Sequence, residues 1–237
     1  MIKPKLFAGQ ERFAWHARPW TDFADTRGPH TTAILPVCGL TDWGLGRPLD
    51  AEEVVACAIL DHALDSLAAT TVPLVLPPFR HLPAQHPGMA AALDIEFAHR
   101  SVSDIARSVR SSGIDRMILF NSNPFCEEWI DVAARDLRIE LGLQTFCINL
   151  SGLGLDFHSG RSPDTSVLQS ILSLLLGEEP DAADTFPQTD PLADLLLAVE
   201  NPPADPSCDA ESHIERISQH LTSLLFEILQ HPPLRKP

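Results

Sequence analysis

Basic residues are scarce in this sequence: 17 lysines and arginines stand against 32 aspartates and glutamates, a formal charge of −15. Binding a nucleic-acid backbone or an anionic membrane needs clustered cations, so the composition argues against both partners. There is no run of about 18 apolar residues, and no membrane span is expected. No apolar stretch follows the opening Met-Ile-Lys-Pro-Lys, so no secretory signal is expected either. The five cysteines (38, 57, 126, 147 and 208) are scattered and odd in number. They lack the spacing of a disulfide framework or a zinc knuckle. Cys38, Cys126 and Cys147 lie in or beside apolar runs, which fits reduced thiols in a cytoplasmic protein. No internal repeat is present. The Gly-x-Gly pairs at 44–46 and 152–154 lack the third glycine and the helix register of a dinucleotide fingerprint.

What is present is a core. The chain has 237 residues, 44% of them hydrophobic, enough for one large α/β domain. Apolar runs at 31–37, 72–76, 117–120 and 145–150 read as buried strands. Helical periodicity marks 51–69, 127–141 (stopped by Gly142), 165–176 and 211–229. A further helix, capped by Ser101 or Ser103, ends near Gly113. Strands alternating with helices predict a three-layer α/β/α arrangement around a mainly parallel sheet. Residues 1–30 read as an irregular arm that packs on the domain or on another subunit. Residues 79–93 read as a long loop. Residues 177–237 read as acidic, proline-rich loops and a last helix, all within one domain spanning 1–237.

The segment Arg116-Met-Ile-Leu-Phe-Asn-Ser-Asn-Pro-Phe-Cys126 has the form of a buried strand, a tight polar loop and a helix start. Open α/β sheets build sites at such strand ends. Loops 38–53, 121–128 and 152–164 can converge there, with 79–89 as a fourth contributor. They carry Thr41, Asp42, Trp43, Glu52, His81, His86, Asn123, Glu127 and His158.

This order of loops resembles the creatininase (creatinine amidohydrolase) family. Leu35-Pro-Val-Cys-Gly39 resembles its Leu-Pro-Val-Gly-Ser strand end, and Thr41-Asp-Trp43 falls on its Glu-x-His. Pro48-Leu-Asp-Ala-Glu52 resembles its Pro-Leu-x-Thr-Asp, Pro77-Pro78 its Pro-Pro, and His86-Pro-Gly-Met89 its His…Phe-Pro-Gly-Thr loop. Asn121-Ser-Asn-Pro-Phe-Cys126 falls on its Asn-Gly-His loop. His158-Ser-Gly-Arg-Ser-Pro-Asp-Thr-Ser166 resembles its His-Ala-Gly-Glu-x-Glu-Thr-Ser, with one extra residue. The similarity spans residues 31–176.

The resemblance implies a creatininase-like fold and commonly an oligomer, often a hexamer. It also implies a metal-dependent amidohydrolase with a two-metal site, yet the ligand positions do not carry over. The first acidic ligand falls on Thr41 and the first histidine on Trp43. The bridging aspartate falls on Glu52, or on Asp50 in a shorter alignment. The second histidine falls on Asn123, and a later acidic ligand of some members on Phe125. Two cations need several carboxylates and imidazoles, which Thr, Trp, Asn and Phe cannot replace. His158 matches the histidine beside the family's reacting centre, and Arg161 stands where a glutamate follows it.

The expectation is therefore a divergent member that uses no metal, unless zinc or manganese is held by re-recruited ligands. It binds a small molecule through Thr41, Asp42, Trp43, Asn121, Asn123, Phe125 and Arg161. It serves as a pseudoenzyme or accessory subunit, for instance of a biosynthetic enzyme, in a homo-oligomer or with a family paralogue. The alternative is an active hydrolase of an amide, cyclic amide or formamide with His158 as acid/base.

Several residues also have plainer readings. A histidine such as His158 often only bonds locally. His81 and His86 lack ligand spacing. Asn121 and Asn123 can tie the loop through backbone hydrogen bonds. Trp43 either fills volume or stacks on a ligand. Cys126, at a helix start, has the position of a lowered-pKa nucleophile, although no histidine is tied to it in sequence.

Overall fold

Four of the apolar runs become strands of one parallel sheet. The computed structural model describes residues 13–17, 19, 31–43, 47–67, 73–85, 88–157, 165–177 and 209–232. Its strands are β1 (Thr32–Val37), β2 (Leu40–Thr41), β3 (Leu74–Val75), β4 (Met89–Ala90), β5 (Arg116–Asn121) and β6 (Gln144–Asn149). Its helices are α1 (Ala51–Asp65), α2 (Ile95–Ser111), α3 (Glu127–Leu141), α4 (Thr165–Leu176) and α5 (Ala210–Gln230). The main sheet has the order β3-β1-β5-β6, and all three pairings are parallel. The register aligns Val37 with Asn121, and Asn121 with Asn149, at the carboxyl ends.

Both faces of the sheet are covered, which is why its strands read as continuous apolar runs. Ile34, Ile118, Phe120 and Ile148 share one core with residues of α1, α4 and α5. Ala33, Leu35, Met117 and Leu119 share the other with α2 and α3. The chain runs outward from β1 to β3 through α1. It then returns through α2 to β5 on the other side of β1, and continues through α3 to β6. This reversal makes a switch point between β1 and β5, the place where open α/β sheets carry their sites.

Several boundaries differ from the sequence expectations for physical reasons. α1 stops at Asp65 rather than near 69. α2 starts at Ile95, where the Asp94 side chain accepts from the Glu96 backbone N–H at 2.9 Å. Ser101 and Ser103 are not its caps. They lie inside the helix and donate to the carbonyls of Phe97 and His99, at 2.8 and 2.9 Å. The expected loop at 79–93 contains β4, which pairs antiparallel with β2. Gly142 ends α3 in the left-handed conformation at φ 58°. Part of the N-terminal arm packs on the domain: Phe13 is buried and its carbonyl accepts from Val75 N at 2.7 Å.

At the amino edge of β5, Arg116 is 1% exposed. Its Nε donates to Gln144 Oε1 at 3.0 Å and its Nη1 to the Leu229 carbonyl at 3.1 Å. Nη2 donates to the His231 carbonyl. This fastens the end of α5 to the sheet. No helix among the described residues is long and apolar enough to cross a membrane. Cys38, Cys57, Cys126 and Cys147 are free thiols.

Candidate functional site

The carboxyl end of the β1–β5 pair is organised around one carboxylate. Glu52 lies in the first turn of α1, and its side chain is directed inward rather than to solvent; it is 0% exposed. Thr41 Oγ1, from β2, donates to Glu52 Oε1 at 3.0 Å. Asn123 Nδ2, from the loop after β5, reaches the same oxygen at 3.2 Å. Ser122 Oγ donates to Oε2 at 3.1 Å. The backbone N–H of Gly39, just past β1, also donates to the carboxylate. Four donors from three chain segments thus converge on a side chain with about four lone-pair sites.

The cage sets both backbone and protonation. A Cβ on Gly39 would lie 2.8 Å from Glu52 Oε1 and 2.9 Å from Thr41 Oγ1. Only glycine lets the β1 loop come this near. Burial raises the pKa of Glu52 above the ordinary carboxylate value, against the lowering effect of its four hydrogen bonds. Cys38 is fully buried beside it, and its thiol pKa is pushed well up by desolvation and then by Glu52.

The loop after β5 is tied to itself and to its neighbour. Asn121 Nδ2 donates to the Asn123 carbonyl at 2.9 Å and to Asn149 Oδ1 at 3.0 Å. Asn121 Oδ1 accepts from Asn123 N at 3.2 Å, and Asn123 Oδ1 from Phe125 N at 3.1 Å. These contacts turn the chain into the short 3-10 turn Pro124–Cys126 ahead of α3.

Beside the polar cage is an aromatic wall. Trp43 stacks on Phe125 with ring centroids 5.9 Å apart and planes within 10°. Phe157 meets Trp43 at 5.5 Å with a tilt of 41°. Trp43 and Phe125 are half-buried, and Asp42 is exposed next to them.

Of the candidates read from sequence, Thr41, Glu52, Asn121, Asn123, Trp43 and Phe125 come together here. Asp50 stands at the N-cap position of α1, and Glu52 is the acidic residue that enters the cage. His81 is elsewhere, exposed, with Nδ1 3.1 Å from the Ala91 carbonyl. Glu127 opens α3 and accepts from Ser151 Oγ. His86, His158 and Arg161 lie outside the described residues. Cys126 does not have the environment of an activated nucleophile: it is buried and desolvation pushes its thiol up to about 12. Gly39 and Ser122 were not singled out from sequence. A glycine just past a strand, and a serine between two asparagines, were the available signals.

No family model matches the sequence, and no curated protein matches it significantly. Solved structures do match. One is a mutant creatininase complexed with creatine, with a TM-score of 0.64, 18% identity, and coverage of 92% of this chain and 99% of that one. A manganese creatininase matches with a TM-score of 0.62 and 17% identity, again over 92% and 99% of the two chains.

The fold is that of creatininase.

A mutant creatininase of the Zn–Zn type matches at a TM-score of 0.62 and 18% identity over the same shares of the two chains. These structures correct the expectation that no metal is used: creatininases are solved with manganese and with zinc, so the creatininase fold points to a metal cofactor. The expectation counted substitutions at aligned positions, whereas a cleft can take ligands from several loops. His86 and His158 are in segments outside the description. The described residues do not themselves fit a metal pair. No group of three or more His, Cys, Asp or Glu among them could hold an ion. The oxygens of Glu52 are already engaged by Thr41, Asn123, Ser122 and Gly39. What these residues do is therefore derived from their own bonds: they pin three loops to one another and support the aromatic wall.

Proposed function

We propose that this creatininase-fold chain is a small-molecule-binding or accessory subunit whose crevice no longer uses its central carboxylate for hydrolysis. The observation that carries this reading is the saturation of Glu52 by four neutral donors inside the protein. A carboxylate held this way has few lone pairs left for a substrate or an attacking water. Asp42, Trp43 and Phe125 form the face open to a ligand. Thr41, Asn121 and Asn123 stand behind it and fix its shape. Arg161 would supply a cation. The partner in the accessory role is a second copy or a paralogue with this fold.

The experiment is co-purification with a metal-loaded creatininase paralogue, with turnover of creatinine and simple amides and formamides measured on this chain alone and in the complex. A stable complex whose activity depends on this chain, with no turnover by the chain alone, is the expected result. Turnover by the isolated chain overturns it.

A second reading, an amidohydrolase with His158 as acid/base, has its own support. Phe157, the residue before His158 in the sequence, is fixed against Trp43. Its related folds are solved with manganese, zinc or bound creatine. Metal bound after dialysis against zinc or manganese, with amide turnover abolished in His158→Ala, would establish this reading instead.

A further inference from the structure

Away from the Glu52 cage, a groove of about 560 Å³ runs between α2 and α3. Ile95, Trp129 and Val132 supply its apolar lining. Ile95 and Val132 are exposed, while Trp129 is largely buried beneath them in sequence-distant packing with α2. An exposed apolar trough between two helices is the usual receptor for one more helix.

The charges around the trough select its occupant. Three carboxylates, Glu96, Asp104 and Glu140, and two guanidiniums, Arg100 and Arg107, line it, and all five side chains are exposed. Both arginines turn to the same acid: Asp104 pairs with Arg107, and with Arg100 at 4.0 Å. Glu96 and Glu140 have no ionic partner among the described residues. The remaining ionisable group of the lining, His99, reaches Asp136 on α3 at 3.3 Å. The surplus on the groove is therefore acidic. A second copy of this face would set acid against acid, and a chain of charge −15 draws basic partners toward it from a distance.

The His99–Asp136 bridge also gives the spacing. Both helices link parallel strands, so both run from the carboxyl to the amino edge of the sheet. Glu96 precedes His99 by three residues and Glu140 follows Asp136 by four. The two free carboxylates thus stand seven residues apart along the groove, about 10 Å at about 1.5 Å per residue, or two helical turns. Side chains at i and i+7 of a third helix share one face and span the same two turns.

We propose that the groove between α2 and α3 docks an amphipathic helix of a different, basic protein. Two lysines or arginines at i and i+7 of that helix meet Glu96 and Glu140, and apolar residues on the same face cover Ile95, Trp129 and Val132. This does not rest on the ligand-binding reading.

The probe is a fluorescently labelled synthetic helix of about 18 residues, long enough to hold its shape, with two lysines at i and i+7 and leucines on the same face. Binding to the full chain is read by anisotropy, with circular dichroism to check the fold of each variant. A Kd below about 0.1 mM is expected. Glu96→Gln with Glu140→Gln weakens it about tenfold, and Ile95→Ser with Val132→Ser at least as much. Glu215→Gln, which removes an exposed acid from α5, leaves it within about twofold. A peptide of the same composition with its lysines on the far face binds at least about tenfold more weakly. The proposal is overturned by absence of binding at 0.1 mM, by indifference to either groove double variant, by an equal loss in Glu215→Gln, or by equal binding of the rearranged peptide. The first would mean that the groove takes no such helix, and the others that the acidic chain attracts basic peptides without a site.

Discussion

Two buried charges mark the two edges of the same sheet, and they are held in different ways. At the carboxyl edge, Glu52 gathers donors from β2 and from the loops after β1 and β5. At the amino edge, Arg116 gives its donors to Gln144 on the neighbouring strand and to carbonyls at the end of α5. Neither is paired with an opposite charge in these bonds. Burial penalises both, raising the pKa of Glu52 and lowering that of Arg116. The difference lies in what each draws together. Arg116 closes the domain by fastening a helix distant in sequence. Glu52 sets the relative positions of the loops at the carboxyl end of the sheet. The amino edge is a seam, and the carboxyl edge is a site built on a seam.

The largest test of this contrast is Glu52→Ala. It leaves several buried donors unsatisfied at once and opens a void, so a loss of about 4 kcal/mol is expected in urea unfolding. Arg116→Met should cost about 3 kcal/mol, since it frees fewer buried groups and keeps most of the volume. Its damage should be local: hydrogen exchange in α5 should rise while the loop after β5 stays protected. If α5 exchange is unchanged, Arg116 is not what fastens that helix. Gly39→Ala should cost about 2 kcal/mol, because the added Cβ crowds the cage.

The smallest effect is on pH. The proton affinity of Glu52 is raised in the fold. Between the ordinary carboxylate pKa of about 4.3 and that raised value, the folded state keeps a proton that the unfolded state has lost. The stability that Glu52 contributes is therefore full at low pH, falls as pH rises through this window, and is constant above it. Glu52→Gln cannot titrate and should lack this part of the slope. Urea midpoints measured from about pH 4 to about pH 8 on both proteins would show it. A wild type that gains on the variant with rising pH would mean that the hydrogen bonds outweigh burial. Arg116 stays charged throughout and should add no slope.

Much of the sheet was legible because its strands are buried on both faces and read as unbroken apolar runs. β2 and β4 were not, since two residues carry no periodicity. The start of α2 was missed because Ile95 and Phe97 are exposed, so its first turn shows no apolar stripe. Thr41, Glu52 and Asn123 could each be picked out along the chain. That they form one cage could not, because Glu52 is 11 residues from Thr41, 70 from Ser122 and 71 from Asn123. Hydrogen bonds between side chains this far apart leave no local pattern. The metal expectation erred for a related reason: counting aligned ligands treats the site as a string, whereas the fold gathers it from several loops.

The bonds of Arg116 also bear on how the protein is made. Leu229 and His231 lie 113 and 115 residues beyond it. On the ribosome, the strand that carries Arg116 emerges well before either carbonyl exists, and domains fold as their segments become available. During that interval the guanidinium must remain in water, so the amino edge of the sheet stays open. A nascent chain halted before residue 229 would hold a sheet that cannot yet shut.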